Sequence, residues 1–108
     1  MSKNNTEATE PVAAASTAQI EAWKKKFGKV FCYEVEGEKI YFKQPDRKVL
    51  ASAGVVSKND PMKFSEHVML NSFIGGNKEL LYDDSVFYGL MQVIDQLVSI
   101  KVGELKNL

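Results

Sequence analysis

Apolar and polar residues change their period at Lys43. Before it they alternate: Phe31, Tyr33 and Val35 fall on one side of an extended segment with Cys32 and Glu34 between them, and Ile40 and Phe42 alternate with Tyr41 and Lys43. A period of two predicts strands over Lys29 to Val35 and Glu38 to Lys43. Glu36-Gly37 is the tight connection, because glycine tolerates positive φ, and it lets Ile40 and Phe42 match the Phe31, Tyr33, Val35 face across a hairpin. Pro45 has no N–H for a further ladder bond, and the Asp46 carboxylate can accept from the free N–H groups that open a helix. After Asp46 the apolar spacing is helical. A lone hairpin is marginal in water, so this one must pack on helices or join a larger sheet.

Four helical segments surround or follow the hairpin. Ser16 and Gln19 have capping-box spacing, Ile20, Trp23 and Phe27 recur along one face, and Gly28 offers a left-handed stop, which predicts a helix over roughly Thr17 to Phe27. Asp46 opens a second, with Val49, Leu50, Ala53 and Val56 as a narrow stripe interrupted by Gly54. Asp60-Pro61 opens a third as N-cap and first helical residue. It is expected to run from Met62 to Ile74, with Phe64 and Val68 on one side, Met62, Met69 and Phe73 on another, and Gly75-Gly76 as its terminator. Two apolar faces place it centrally. Asp83-Asp84 opens the last, where Val86, Phe87, Leu90, Met91, Ile94, Leu97 and Val98 follow at spacings of three and four, with continuation towards Leu105.

The expected fold is therefore α+β and mostly helical: a short antiparallel hairpin packed against about four helices. Residues 16–108 form one small domain. Residues 1–15 have too few large apolar side chains to offset their ordering entropy, and form a disordered tail. In a chain of 108 residues this leaves a modest core, which burial against a partner or a second copy would supplement. The 14 basic and 14 acidic residues balance, so no global field favours nucleic acid or an anionic membrane. The single cysteine excludes an intrachain disulfide, and without a signal-peptide pattern the expected location is a reducing cytoplasm. No apolar run approaches the ~20 residues of a membrane span.

Candidate chemistry is sparse. His67, the single histidine, has no nucleophile or orienting carboxylate that the sequence places beside it, and reads as a surface or packing residue. Cys32 has no cysteine or histidine at ligand spacing and reads as a structural thiol. Asp83-Asp84 lacks the spaced oxygen ligands of a calcium loop and suits helix capping. Gly75-Gly76-Asn77-Lys78 follows a helix and lacks the residue order of a nucleotide-binding loop. Lys24-Lys25-Lys26 with Trp23 and Phe27 is the one basic-aromatic cluster, but the aromatics occupy the apolar face and the lysines the solvated one. No catalytic residue, metal ligand or cofactor site is expected, and an enzyme is disfavoured.

Several runs taken in order carry a resemblance: Trp23-Lys24-Lys25-Lys26-Phe27-Gly28-Lys29-Val30 before the hairpin, Phe42-Lys43-Gln44-Pro45-Asp46-Arg47 entering a helix, Asp60-Pro61-Met62-Lys63-Phe64 opening another, and Gly75-Gly76 before an acid-capped last helix. From Trp23 to Leu105 the chain resembles small phage and prophage proteins of the tail assembly chaperone type. The resemblance implies a non-enzymatic factor in the host cytoplasm that binds the long helical tape measure protein, keeps it soluble and helps recruit tail tube subunits. It also implies a longer frameshifted product, with this chain as the short form. The partner-binding candidates are Met69, Phe73, Phe87, Leu90, Met91 and Ile94, on the apolar faces of the third and fourth helices, where methionine suits an adaptable groove. The competing expectation is a structural virion component or adaptor, joined to a particle through the hairpin edge and the disordered tail and retained there. A homo-oligomer fits either.

Overall fold

A computed structural model of the chain describes residues 15–98 and 100–108. The disordered tail expected at its start falls, apart from Ala15, outside the described residues. Helix α1 (Thr17–Phe27) leads into strands β1 (Val30–Val35) and β2 (Glu38–Lys43). Then come helices α2 (Arg47–Val56) and α3 (Met62–Ser72), strand β3 (Phe73–Gly76), a 3-10 helix (Lys78–Tyr82), helix α4 (Asp84–Met91) and a second 3-10 helix (Ile94–Leu97). The fold is α+β and mostly helical, with an antiparallel sheet ordered β1-β2-β3.

Local chemistry sets most boundaries where the sequence places them. The Ser16 hydroxyl accepts from the Gln19 N–H at 3.1 Å and the Asp46 carboxylate from the Val49 N–H at 2.9 Å. Asp83 accepts from the N–H groups of Ser85 and Val86 at 2.9 and 3.4 Å, so Asp83-Asp84 is helix-capping chemistry. Pro61 has helical dihedrals and the Asp60 carboxylate accepts from the Met62 N–H, so these two serve as N1 and N-cap although the regular hydrogen bonding starts one residue later. The hairpin turn carries positive φ at both central residues, 50° at Glu36 and 80° at Gly37, the twist that a two-residue connection between antiparallel strands requires. Its register pairs Val35 with Glu38 and Phe31 with Phe42.

Two segments depart from expectation. The third helix stops at Ser72, and Phe73–Gly76 extends the sheet, Phe42 pairing with Phe73, Tyr41 with Gly75 and Ile40 with Gly76 around a bulge. Gly75-Gly76 is thus a strand end, not a helix cap. A Cβ at Gly75 would lie 2.6 Å from Cη2 of Trp23, so the glycine is what allows the indole to lie on the sheet. The last helix ends at Met91, with i→i−3 bonds from Gln92 to Gly89 and from Val93 to Leu90, and resumes as a 3-10 turn that carries Leu97 into the core. The β-branched pair Val93-Ile94 loses side-chain freedom in an α-helix, and its weak helix propensity coincides with the break. Residues 100–108 form neither helix nor strand, contrary to the expected continuation to Leu105.

The sheet is covered on both faces. Phe31, Tyr33, Ile40, Phe42 and Phe73 face a core completed by Ala53, Val68, Met69, Leu81, Val86, Leu90 and Leu97. On the other face Tyr41 lies beneath Trp23, with ring centroids 5.3 Å apart, and Lys43 reaches the Phe27 ring at 5.0 Å. Helix α1 therefore forms an outer layer, its Ile20, Trp23 and Phe27 half-buried and its three consecutive lysines exposed. The Ala15 N–H donates to the Tyr41 hydroxyl at 3.0 Å and ties the entry of α1 to the same face. Helix α3 buries Ser65, Val68, Met69 and Ser72, a stripe at helical spacing, while Met62 and Phe64 remain exposed. Residues 58–64 are all exposed, so Met62 and Phe64 lie in a first turn that precedes the contact of α3 with the core.

Candidate functional site

The half of α3 that does not face the core and the start of α4 diverge around the first 3-10 helix, leaving a surface cavity of about 410 Å³. The helix cap at Asp60 sets where α3 begins, and so brings Met62, Lys63 and Glu66 to one wall. Asp83, through its two N–H acceptances, fixes the start of α4 and places Asp84, Phe87 and Tyr88 on the other. Leu81 and Tyr82 come between. Leu81 is buried and anchors the floor, whereas Met62, Tyr82 and Tyr88 are 43%, 63% and 53% exposed, a methionine and two phenols held at the surface with their apolar parts in water. The Phe87 and Tyr88 rings meet edge to face at 6.1 Å, which restricts both. Three carboxylates, Asp60, Glu66 and Asp84, line this patch against one ammonium, Lys63, whose Nζ is 4.0 Å from Glu66. The lining therefore mixes apolar and aromatic side chains with an excess of acidic ones.

A second cavity, about 170 Å³, lies between the core face of the sheet and the end of the fold, lined by Phe31, Tyr33, Phe42, Leu90, Ile94 and Leu97 among others. The Tyr33 hydroxyl sits against Gly89, where an added Cβ would collide with it. This contact anchors α4 over β1.

The six candidates read from the sequence do not converge. Met69 and Leu90 are 1% and 3% exposed and belong to the core, with Leu90 also lining the second cavity. Phe73 sits on β3, not on a helix, edge to face with Phe42 at 6.2 Å. Phe87 lines the first groove, Ile94 lines the second cavity from a 3-10 turn, and Met91 is half-buried against the core. Met62, Tyr82 and Tyr88, which dominate the first groove's exposed surface, were missed. Their signal is present but faint: Tyr82 and Tyr88 bracket the Asp83-Asp84 cap, and such a cap fixes nearby side chains.

No protein-family model, curated protein sequence or solved structure matches this chain.

Other chemistry-bearing residues stay apart. His67 is half-buried between α2 and α3, beside Lys63, Leu70 and Asn71, and its backbone carbonyl accepts from the Asn71 amide at 2.8 Å. Cys32 is exposed on β1. Desolvation raises its thiol pKa, Lys39 opposing and Glu34 adding to the shift, which is the reverse of what activates a nucleophile. Among the described residues no three His, Cys, Asp or Glu side chains are grouped so as to hold a metal ion, and no helix is long and apolar enough to cross a membrane.

Proposed function

We propose that this protein is a non-enzymatic binding protein of the phage tail assembly chaperone type, which holds an amphipathic segment of the tape measure protein until tail tube subunits replace it. The observation that carries the reading is the groove between α3 and α4, lined by Met62, Tyr82, Phe87 and Tyr88 together with three carboxylates. An amphipathic helix laid there would bury its apolar face against a methionine and aromatic rings, which adapt to varied side chains, while lysines or arginines on its flanks would meet Asp60, Glu66 and Asp84. Exposed rim charges contribute more to orientation and encounter rate than to affinity, as befits a client that must later be released. The tape measure identity rests on the order of sequence runs from Trp23 to Leu105, and with it the host cytoplasm as the place of action.

The experiment is capture of the chain from its source, with mass spectrometry of bound proteins and of finished particles. Recovery of a long helical protein, with this chain missing from particles, supports the chaperone. Retention in particles at fixed stoichiometry supports a structural component instead. Tyr88→Glu puts a charge at an exposed groove position and is expected to reduce client capture at least about tenfold without lowering thermal stability, because half-exposed surface sites away from the core seldom affect folding.

A further inference from the structure

Beyond client binding, we infer that the C-terminal segment Ile100–Leu108 of one copy adds a strand to the open edge of β1 in a second copy, making a reciprocal dimer. Two exposed features meet in this proposal. The first is the segment itself: Ile100, Val102, Leu105 and Leu108 are 75%, 90%, 101% and 114% exposed, four large aliphatic side chains packed on nothing. The second is β1, which pairs with β2 on one side and, among the described residues, with no strand on the other. An open edge of six residues is a template for another strand. In a ladder closed by a two-residue turn the backbone groups alternate in direction, so those of Glu34, Cys32 and Val30 point to the open edge.

Pattern and charge select one register. Ile100 and Val102 share a strand face with Lys101 between them, matching the alternation of Val35, Glu34 and Tyr33. Antiparallel pairing with Val102 opposite Tyr33 puts Ile100 opposite Val35, Lys101 opposite Glu34 and Gly103 opposite Cys32, and the ladder stops there, because its continuation would set Glu104 against Phe31 and Lys106 against Lys29. Lys101 then meets Glu34 with opposite charge, and Ile100 and Val102 extend the apolar face formed by Tyr33 and Val35. The parallel alternative puts Glu104 beside Val35 with Glu34 and Glu36 on either side in sequence, and leaves Lys101 opposite Cys32. The apolar cavity of about 170 Å³ lies along this strand, lined by Phe31, Tyr33, Ile94 and Leu97, ready to receive the added side chains. Leu97 is also where the folded part of the chain ends, so each segment leaves from the rim of the cavity that receives its partner's. Nine residues extended reach about 30 Å, longer than β1. Exchange between two copies pairs residues 100–103 of each with β1 of the other without rearranging either domain.

Cys32 reports on this register directly. Gly103→Cys introduces no strain, since an added Cβ there meets nothing and no positive φ is required. Opposed residues in the proposed ladder have Cα atoms about 5.5 Å apart, within disulfide range. Treatment of the purified full chain with diamide, which takes up the two thiol hydrogens as the S–S bond forms, is expected to give a covalent dimer whose peptide map joins residue 32 of one copy to residue 103 of the other. Lys101→Cys is expected to cross-link far less. Sedimentation of the unmodified chain is expected to show dimer, and deletion of residues 100–108 or Lys101→Glu to raise the dissociation constant at least about tenfold, with Glu34→Lys restoring it in the Lys101→Glu background. A disulfide within one copy, a Cys32 to Cys32 link, preferential Lys101→Cys cross-linking, or a monomer at all concentrations would each overturn the proposal. Client capture by a chain lacking residues 100–108 separates this inference from the groove reading.

Discussion

Replacing Gly75 by alanine adds one methyl group where the sheet has no room for it. The new Cβ would stand 2.6 Å from Cη2 and 2.9 Å from Cζ2 of Trp23, well inside contact distance, and neither a rigid indole nor a strand backbone can yield cheaply. Forced overpacking of this kind costs about 1–3 kcal/mol. Alanine also restricts the unfolded chain, which offsets about 0.4–1 kcal/mol where the backbone suits it. A net loss of about 1.5 kcal/mol follows, or roughly 6–12 °C in melting temperature for a domain of this size. Trp23 is the sole tryptophan, so its fluorescence reports the displacement of the ring from Tyr41, and circular dichroism gives the melting curve. A double-mutant cycle separates collision from backbone effects: in a Trp23→Leu background the same alanine is expected to cost less than half as much. An equal cost in both backgrounds, or an unshifted fluorescence spectrum, would refute the packing of α1 on this face.

Gly54 is the contrasting glycine: it lies within α2 with nothing near its missing Cβ, so Gly54→Ala is expected to stabilise by about 0.5–1 kcal/mol, read by urea unfolding. Ser72 is fully buried and its hydroxyl has no hydrogen-bond partner among the described residues, so Ser72→Ala is expected to be neutral or to raise stability by up to about 1 kcal/mol, and a loss beyond that would indicate an unseen partner. The Cys32 thiol is raised above its ordinary value, so its alkylation rate in the native protein is expected to reach half-maximum at a higher pH than in the unfolded chain. The linked stability is complete below the unfolded pKa and falls as pH rises through the folded one, so Cys32→Ser is expected to lose less stability than the parent on the alkaline side.

What could be read from the sequence divides by the range of the interaction responsible. Caps and turns are local: Ser16, Asp46, Asp60 and Asp83 each accept from N–H groups two or three residues away, and the Glu36-Gly37 turn is decided by its own dihedrals, so all were legible. The hairpin register followed from alternation together with the two-residue Glu36-Gly37 connection. Gly75-Gly76 misled because its role comes from distant residues, Trp23 above it and β2 beside it, and a local reading gives two glycines after a helix the sense of a stop. The stripe of α3 misled differently. Serine counts as polar in any pattern, yet Ser65 and Ser72 are buried, while Met62 and Phe64 stay exposed in a first turn that precedes the contact with the core. That exposure bears on the candidate surface: it leaves Met62 beside Tyr82, Phe87 and Tyr88 in the first groove, whereas Met69 and Leu90, candidates from the sequence, went to the core. A candidate binding surface is what remains after the core has taken its residues. Reading it therefore requires knowing which apolar positions the core declines, and in this chain that depends on where along α3 the contact with the core begins, which no hydrophobic periodicity registers.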